Sequence, residues 1–339
     1  MPHLPPLSAT SAKSIATLVW GLVLLCAALL SSTEAAAQSY LGTRGRSLGG
    51  AYRAVATGSD AIYMNPGGLT QIPRYATELH YHFDLYDDLH EGNVTIVDSK
   101  TSVVAIGLGY DVKLSDLQLE RFTLKNQATG AVGYTIIPKI FSVGAGFKYV
   151  NLTDAIAGNY LNAISADIGT LATLPGGVNL AAVGYNLVPI QSDEVPISAG
   201  FAASWNLGPI SALIFGESFG WGPTVDASGA IMPANPMNPR GPLDGLVLSA
   251  DYFVEFFTLY GPRNEVALGA EYLILQMVPV RAGYNWNQFG NNHTLSVGAG
   301  FIIPSFGLDV SFEQSVTHLE QRSLSVSIKF FLDSYIAGL

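Results

Sequence analysis

The chain has 339 residues, 49% of them hydrophobic, yet only 12% charged and 36 of them glycine. Soluble domains carry about 25% charge, so this balance points to a membrane protein. The net charge is -10 with no basic cluster, which argues against a nucleic-acid partner.

The longest apolar run is Ile15 to Leu30, "IATLVWGLVLLCAALL". It is short for a membrane span but has the form of a secretory leader. Lys13 precedes it and "EAAAQS" follows, which predicts cleavage after Ala37 and a leader over residues 1–37. Cys26 is the only cysteine, and Leu25 before it is too large for a lipoprotein signal. The mature chain would then have no disulfide, no cysteine metal site and no thiol nucleophile.

Next comes "GTRGRSLGGAYRAVATGSDAIYMNPGGLTQI", Gly42 to Ile72, which lacks a two-residue period. Gly49-Gly50 followed by Ala51–Ala56 reads as a short helix or turn. Asn65, Pro66, Gly67, Gly68 and Leu69 must turn: Pro66 fixes φ, the glycines permit positive φ, and Asn65 bonds locally. The segment is too apolar to be a free tether, so residues 38–74 are expected to form a hatch folded into a barrel mouth.

From residue 75 onward the period is two. In "ELHYHFD", Glu78, His80, His82 and Asp84 share one face and Leu79, Tyr81 and Phe83 the other. That polar cluster is read as a lumen wall bonded to the hatch, against a metal-binding or pH-responsive alternative. "FSVGAGFKY", "VPISAGFAASWN", "TLSVGAGFIIP", "FGLDVSFEQS" and "RSLSVSIKFF" repeat the alternation. One face of each is apolar, with aromatics at its ends (Tyr149, Trp205, Tyr272, Tyr284, Phe306, Phe330). The other is mostly glycine, serine and alanine. A soluble sandwich would carry Lys, Glu and Thr on its wet face. Small residues with isolated charges suit a lumen instead, and apolar strands of 9–11 residues suit lipid.

Punctuation predicts short turns near 138, 174–177, 206–209, 275–279 and 303–307, all at one end. Longer loops are expected at Lys113–Arg121, Asn151–Tyr160, Glu217–Leu243 and Asn285–Asn292, at the other. The five prolines of Glu217–Leu243 exclude a continuous strand and leave room for one short one. The fold class expected is therefore all-β: a transmembrane up-and-down antiparallel β-barrel of about 14 strands over 75–339, with an N-terminal hatch.

The inward positions carry Asp111, Lys148, Asp167, Asp251, Glu271, Arg281, Asp309, Glu313 and Lys329. Unpaired charge in a narrow lumen is costly, so these should pair. Glu271, Arg281, Asp309 and Lys329 are read as a lumen charge network. It either braces the interior or gates a substrate.

"RSLGGAYRAVATGSDAIYMNPGGL" resembles the N-terminal signature of the FadL/PorV-like outer-membrane barrels. "LGAEYLI…VPVRAGYN", "SVGAGF" and "GLDVSF" are similar to the smaller PorV/PorQ-type branch. The resemblance covers most of the mature chain. It departs at Gly67, where alanine is usual, and in a chain shorter than the FadL-type transporters. It implies a 14-stranded barrel with an N-terminal hatch in the outer membrane of a Gram-negative-type bacterium, surrounded by outer-membrane lipid. The function expected is passive passage of hydrophobic small molecules resembling long-chain fatty acids. The alternative is a PorV-like accessory or scaffold with a secretion or surface-attachment protein as partner. No cofactor and no metal is expected. No G-x-S-x-G, zinc-ligand spacing or nucleophile–base motif points to an enzyme.

Overall fold

The computed structural model describes residues 41–115, 123–154, 158–189, 195–208, 224–225, 231–232, 245–256 and 261–332. The expected leader lies outside the described residues, as does most of Glu217–Leu243.

Fourteen strands close into an antiparallel barrel. They are β1 (Tyr75–Asp84), β2 (Leu89–Asp98), β3 (Val104–Ser115), β4 (Thr123–Ile137), β5 (Phe141–Asp154), β6 (Gly158–Leu174), β7 (Val178–Tyr185), β8 (Ser198–Asn206), β11 (Leu246–Glu255), β12 (Arg263–Ile274), β13 (Val278–Asn287), β14 (Asn292–Ile302), β15 (Phe306–Ser315) and β16 (Arg322–Phe331). Neighbours pair in chain order and β1 closes on β16, with Glu78 opposite Lys329. No edge is left open, so every strand pairs on both sides. Two further strands, β9 (Thr224–Val225) and β10 (Ile231–Met232), pair with each other as a separate two-stranded sheet. The sequence left room for one short strand in this stretch; a pair is present because an isolated strand has no partner for its backbone.

The alternation sorts side chains as expected. In β1, Leu79 and Tyr81 are exposed on the outer face while Glu78, His80 and His82 are buried on the inner. In β15, Val310 is outward and Ser311 inward and buried. The expected aromatics lie on the outer face at both ends. Tyr149 and Tyr284 stand at one, and Trp205, Tyr272, Phe306 and Phe330 at the other. Strand length departs from the expected 9–11 residues: β4, β5 and β6 have 15, 14 and 17, so this part of the wall stands taller.

Short connections gather at the end where β1 begins and β16 finishes: 99–103, 138–140, 175–177, 275–277 and 303–305. The Leu275-Gln276 turn has both central φ angles positive, 50° and 54°, the mirror-type geometry whose twist matches flanking strands. One expectation fails here. Residues 206–209 do not turn back into an adjacent barrel strand, because β8 pairs directly with β11. β8 runs toward the short-turn end, so the long connection 207–245 leaves from that end and not from the loop end.

Residues 41–72 lie within the ring of strands, and the main buried apolar cluster forms there. Leu48, Tyr52, Ile62, Tyr63, Met64 and Leu69 pack with Val97, Ala105 and Ala131 of the wall. The wall meets them with glycines. A methyl on Gly283 would run into the backbone of Leu48 and Gly49, and one on Gly144 into Pro66. At these positions the small inner faces read from the sequence make room for packed backbone.

Candidate functional site: the filled lumen

The interior segment begins with a helix at Thr43–Ser47 that ends on Gly49 (φ 66°) and Gly50 (φ 88°). Gly50 N–H bonds back to Gly45 O at 2.9 Å. The helix therefore precedes the glycines, which act as its stop, and Ala51–Ala56 forms turns. Asn65 caps the 3-10 turn Pro66–Thr70 by accepting from Gly67 N–H at 3.0 Å. Its amide donates to Arg53 O (3.0 Å) and to Thr170 O on β6 (3.1 Å). Gly67 and Gly68 do not use positive φ, contrary to expectation. Gly68 is required by contact, since a methyl there would strike Ala56 O. Leu69 is buried beside them.

Glu271 and Arg281 face each other across β12 and β13, joined at 2.5 Å. Arg281 also reaches Asp309 at 2.6 Å, and Lys329 holds Asp309 at 3.1 Å and Glu78 at 3.5 Å. All four residues of the expected network are in one chain of contacts, with Glu78 attached. Lys148 pairs separately with Asp167 at 2.8 Å.

The first polar cluster is split. His82 Nδ1 bonds Ser325 at 2.8 Å, and His80 is buried on the same face. Asp84 belongs to neither. It accepts from the backbone N–H of Tyr86 (2.8 Å) and Asp87 (3.2 Å) and shapes the β1–β2 loop. Its position at the strand end puts the turn's free N–H groups within reach, and these outcompete the lumen. Among the described residues no three His, Cys, Asp or Glu side chains gather as a metal site.

Sequence reasoning missed three arginines, and they anchor the segment. Arg44 makes a two-bond contact with Glu271, 2.7 and 2.9 Å. Arg46 bridges Glu91 (2.9 Å) and Glu313 (3.3 Å). Arg53, buried, reaches Asp251 at 3.1 Å and donates to Tyr185 Oη at 2.9 Å. Asp251 also accepts the backbone N–H of Tyr52 and Arg53. A signal for them was present. The inward charges read from the strands are mostly acids, with only Lys148, Arg281 and Lys329 as bases, so cations were to be sought elsewhere in the chain. Burial pushes the Tyr52 phenol well above its ordinary range, so it stays protonated between Arg44 and Asp60 and donates to Asp60 at 3.0 Å.

No family model and no curated protein matches this chain. Solved structures do. The CymD monoaromatic hydrocarbon channel superposes over 86% of this chain and 97% of its own, with a TM-score of 0.57 at 14% identity. The Pseudomonas putida toluene transporter TodX gives the same coverage and TM-score at 11% identity. A Pseudomonas aeruginosa FadL homologue covers 85% of this chain and 98% of its own, with a TM-score of 0.56 at 11% identity. The chain has the fold of these channels. The likeness spans nearly their whole length, so it reaches beyond a shared hairpin or sheet. At these identities it speaks for the barrel and not for the ligand.

Proposed function

We propose that this protein is an outer-membrane channel of the FadL-like superfamily for passive passage of hydrophobic small molecules, with residues 41–72 as its hatch. The observation that carries this reading is the arrangement of its two surfaces. The outer face is an apolar band with aromatics at both ends, fit for lipid. The lumen is occupied by a segment that precedes the barrel in the chain and is anchored to the inward side chains of the wall. The sequence shows no energy-coupling motif, and on this reading passage follows the solute gradient.

The lipid side of the wall also carries an apolar hollow. An apolar concavity of about 370 Å³ lies on the outer face between β2, β3 and β4, against Val94, Ile96, Leu108 and Tyr110. Behind it the inner face of β3 has Gly107 and Gly109, and Ile62 and Tyr63 of the segment pack against them. The test is uptake of a monoaromatic hydrocarbon and of a long-chain fatty acid by liposomes holding the purified chain. Faster uptake than in empty liposomes for either is expected. Uptake equal to empty liposomes for both, with a secretion complex co-purifying, would replace this reading by the scaffold one.

A further inference from the structure

Among the described residues, the outer faces of β3, β4, β5 and β6 carry no Lys, Arg, Asp or Glu. At mid-height on β4 this face is small. Ala128 lies between Tyr110 on β3 and Tyr149 on β5, and Gly130 between Leu108 and Phe147. These large neighbours are exposed, so they stand as two ridges with a track between them. Ala128 and Gly130 help to line the apolar hollow of about 370 Å³ described above. A ridged track over small residues is the shape that takes one alkyl chain, which gains contact on three sides where a flat wall gives one.

One step above the track, ~7 Å along the strand, the face turns polar. Asn126, Asn151 and Asn162 stand side by side on β4, β5 and β6. Tyr110 Oη donates to Asn126 Oδ1 (3.1 Å) and Tyr149 Oη to Asn162 Oδ1 (2.7 Å). The Asn126 amide reaches Asn151 at 3.5 Å, and the Asn151 amide donates to Asn162 at 2.8 Å. An amide nitrogen carries two hydrogens and the ladder takes one, so Asn126 and Asn151 each keep one N–H for a partner. The wall runs on above these asparagines to Thr123 and Asp154, which gives a headgroup a surface to lie against. A phosphate would seek a cation, and this face has none. Sugar hydroxyls, each a donor and an acceptor, match amides and phenols.

We infer that this face is a docking site for a glycolipid of the bilayer, with one acyl chain along Ala128 and Gly130 and an uncharged sugar head on Asn126 and Asn151. The inference rests on the membrane location proposed above and not on transport. Its test is photo-crosslinking of the full chain in phosphatidylcholine bilayers, keeping only heat-modifiable protein. One probe is a glucosyl diacylglycerol with a diazirine in its acyl chain; the other is phosphatidylcholine with the same diazirine chain. Mass spectrometry of the peptides locates the crosslinks. Taken relative to the phosphatidylcholine probe, the glucosyl probe should label β3–β5 several-fold more than β14–β16. Asn126→Leu with Asn151→Leu removes the ledge, and Ala128→Phe fills the track while leaving the ledge in place. Each should bring the relative labelling back to even. Even labelling in the parent, or a preference that survives either variant, overturns the inference. Labelling of neither region by the phosphatidylcholine probe overturns the membrane reading itself.

Discussion

Arg281 on β13 reaches over β14 to Asp309 on β15, 2.6 Å away, because the residue beside it on β14 is Gly298. Glu271 on β12 holds the same guanidinium at 2.5 Å, so one side chain ties three strands. Both ends of the contact are almost fully buried. Removing one partner of a buried pair leaves charge behind and costs about 3–5 kcal/mol. Arg281→Ala should therefore destabilise the barrel by that order. Arg44→Ala should cost less, since Arg44 retains partial exposure and Glu271 keeps Arg281. Urea unfolding in detergent micelles, followed by heat-modifiable mobility on gels, reads both. Equal losses would mean that Arg44 belongs to the barrel wall as much as Arg281 does.

Val310 and Ser311 test the two faces of one strand. Val310→Arg puts a cation on the lipid face and should cost about 2–4 kcal/mol near mid-depth. Ser311 is buried behind the Thr43–Ser47 helix. Ser311→Arg should therefore act on the segment, exposing residues 41–72 to added protease while the barrel stays closed. A barrel lost at 311 and kept at 310 would reverse the facing described above.

Deletion of Gly42–Ile72 should leave a heat-modifiable barrel, since strand pairing does not use the segment, and should raise conductance in planar bilayers. A folded deletion variant that conducts no better than the parent would show that the segment does not occlude the lumen. It would then stand as a docking arm.

Gly283→Ala is the finer version. The strand itself tolerates alanine, but the new methyl meets the backbone of Leu48 and Gly49. Intermittent openings are expected in single-channel records, with unfolding of the barrel little changed. Gly130→Ala, whose methyl meets only the Leu108 side chain, should do neither.

Asn65→Ala removes one acceptor and two donors inside the lumen. The groups left unpaired cost about 1–3 kcal/mol each where water cannot reach them. The loss should appear as protease sensitivity of residues 41–72 and as added conductance, with the barrel's own unfolding nearly unmoved.

The sequence by itself determined the wall. A period of two with one apolar and one small polar face has few solutions, and closure follows because an open edge is costly in lipid. It also placed Glu271 opposite Arg281, since a tight turn between them fixes register by counting. It did not determine which end the 207–245 connection leaves from, because that depends on whether β8 pairs with a nearby strand or with β11, and turn residues alone read the same either way. Nor did it show what Arg44, Arg46 and Arg53 touch. Those contacts join residues more than 40 and up to 267 positions apart, and period counting carries no information across a gap where the chain has no period. Asp84 sat on the right face for the lumen, yet its carboxylate went to the turn. Facing is set by backbone geometry, whereas the partner is set by which unsatisfied group lies nearest, and only the folded chain supplies that.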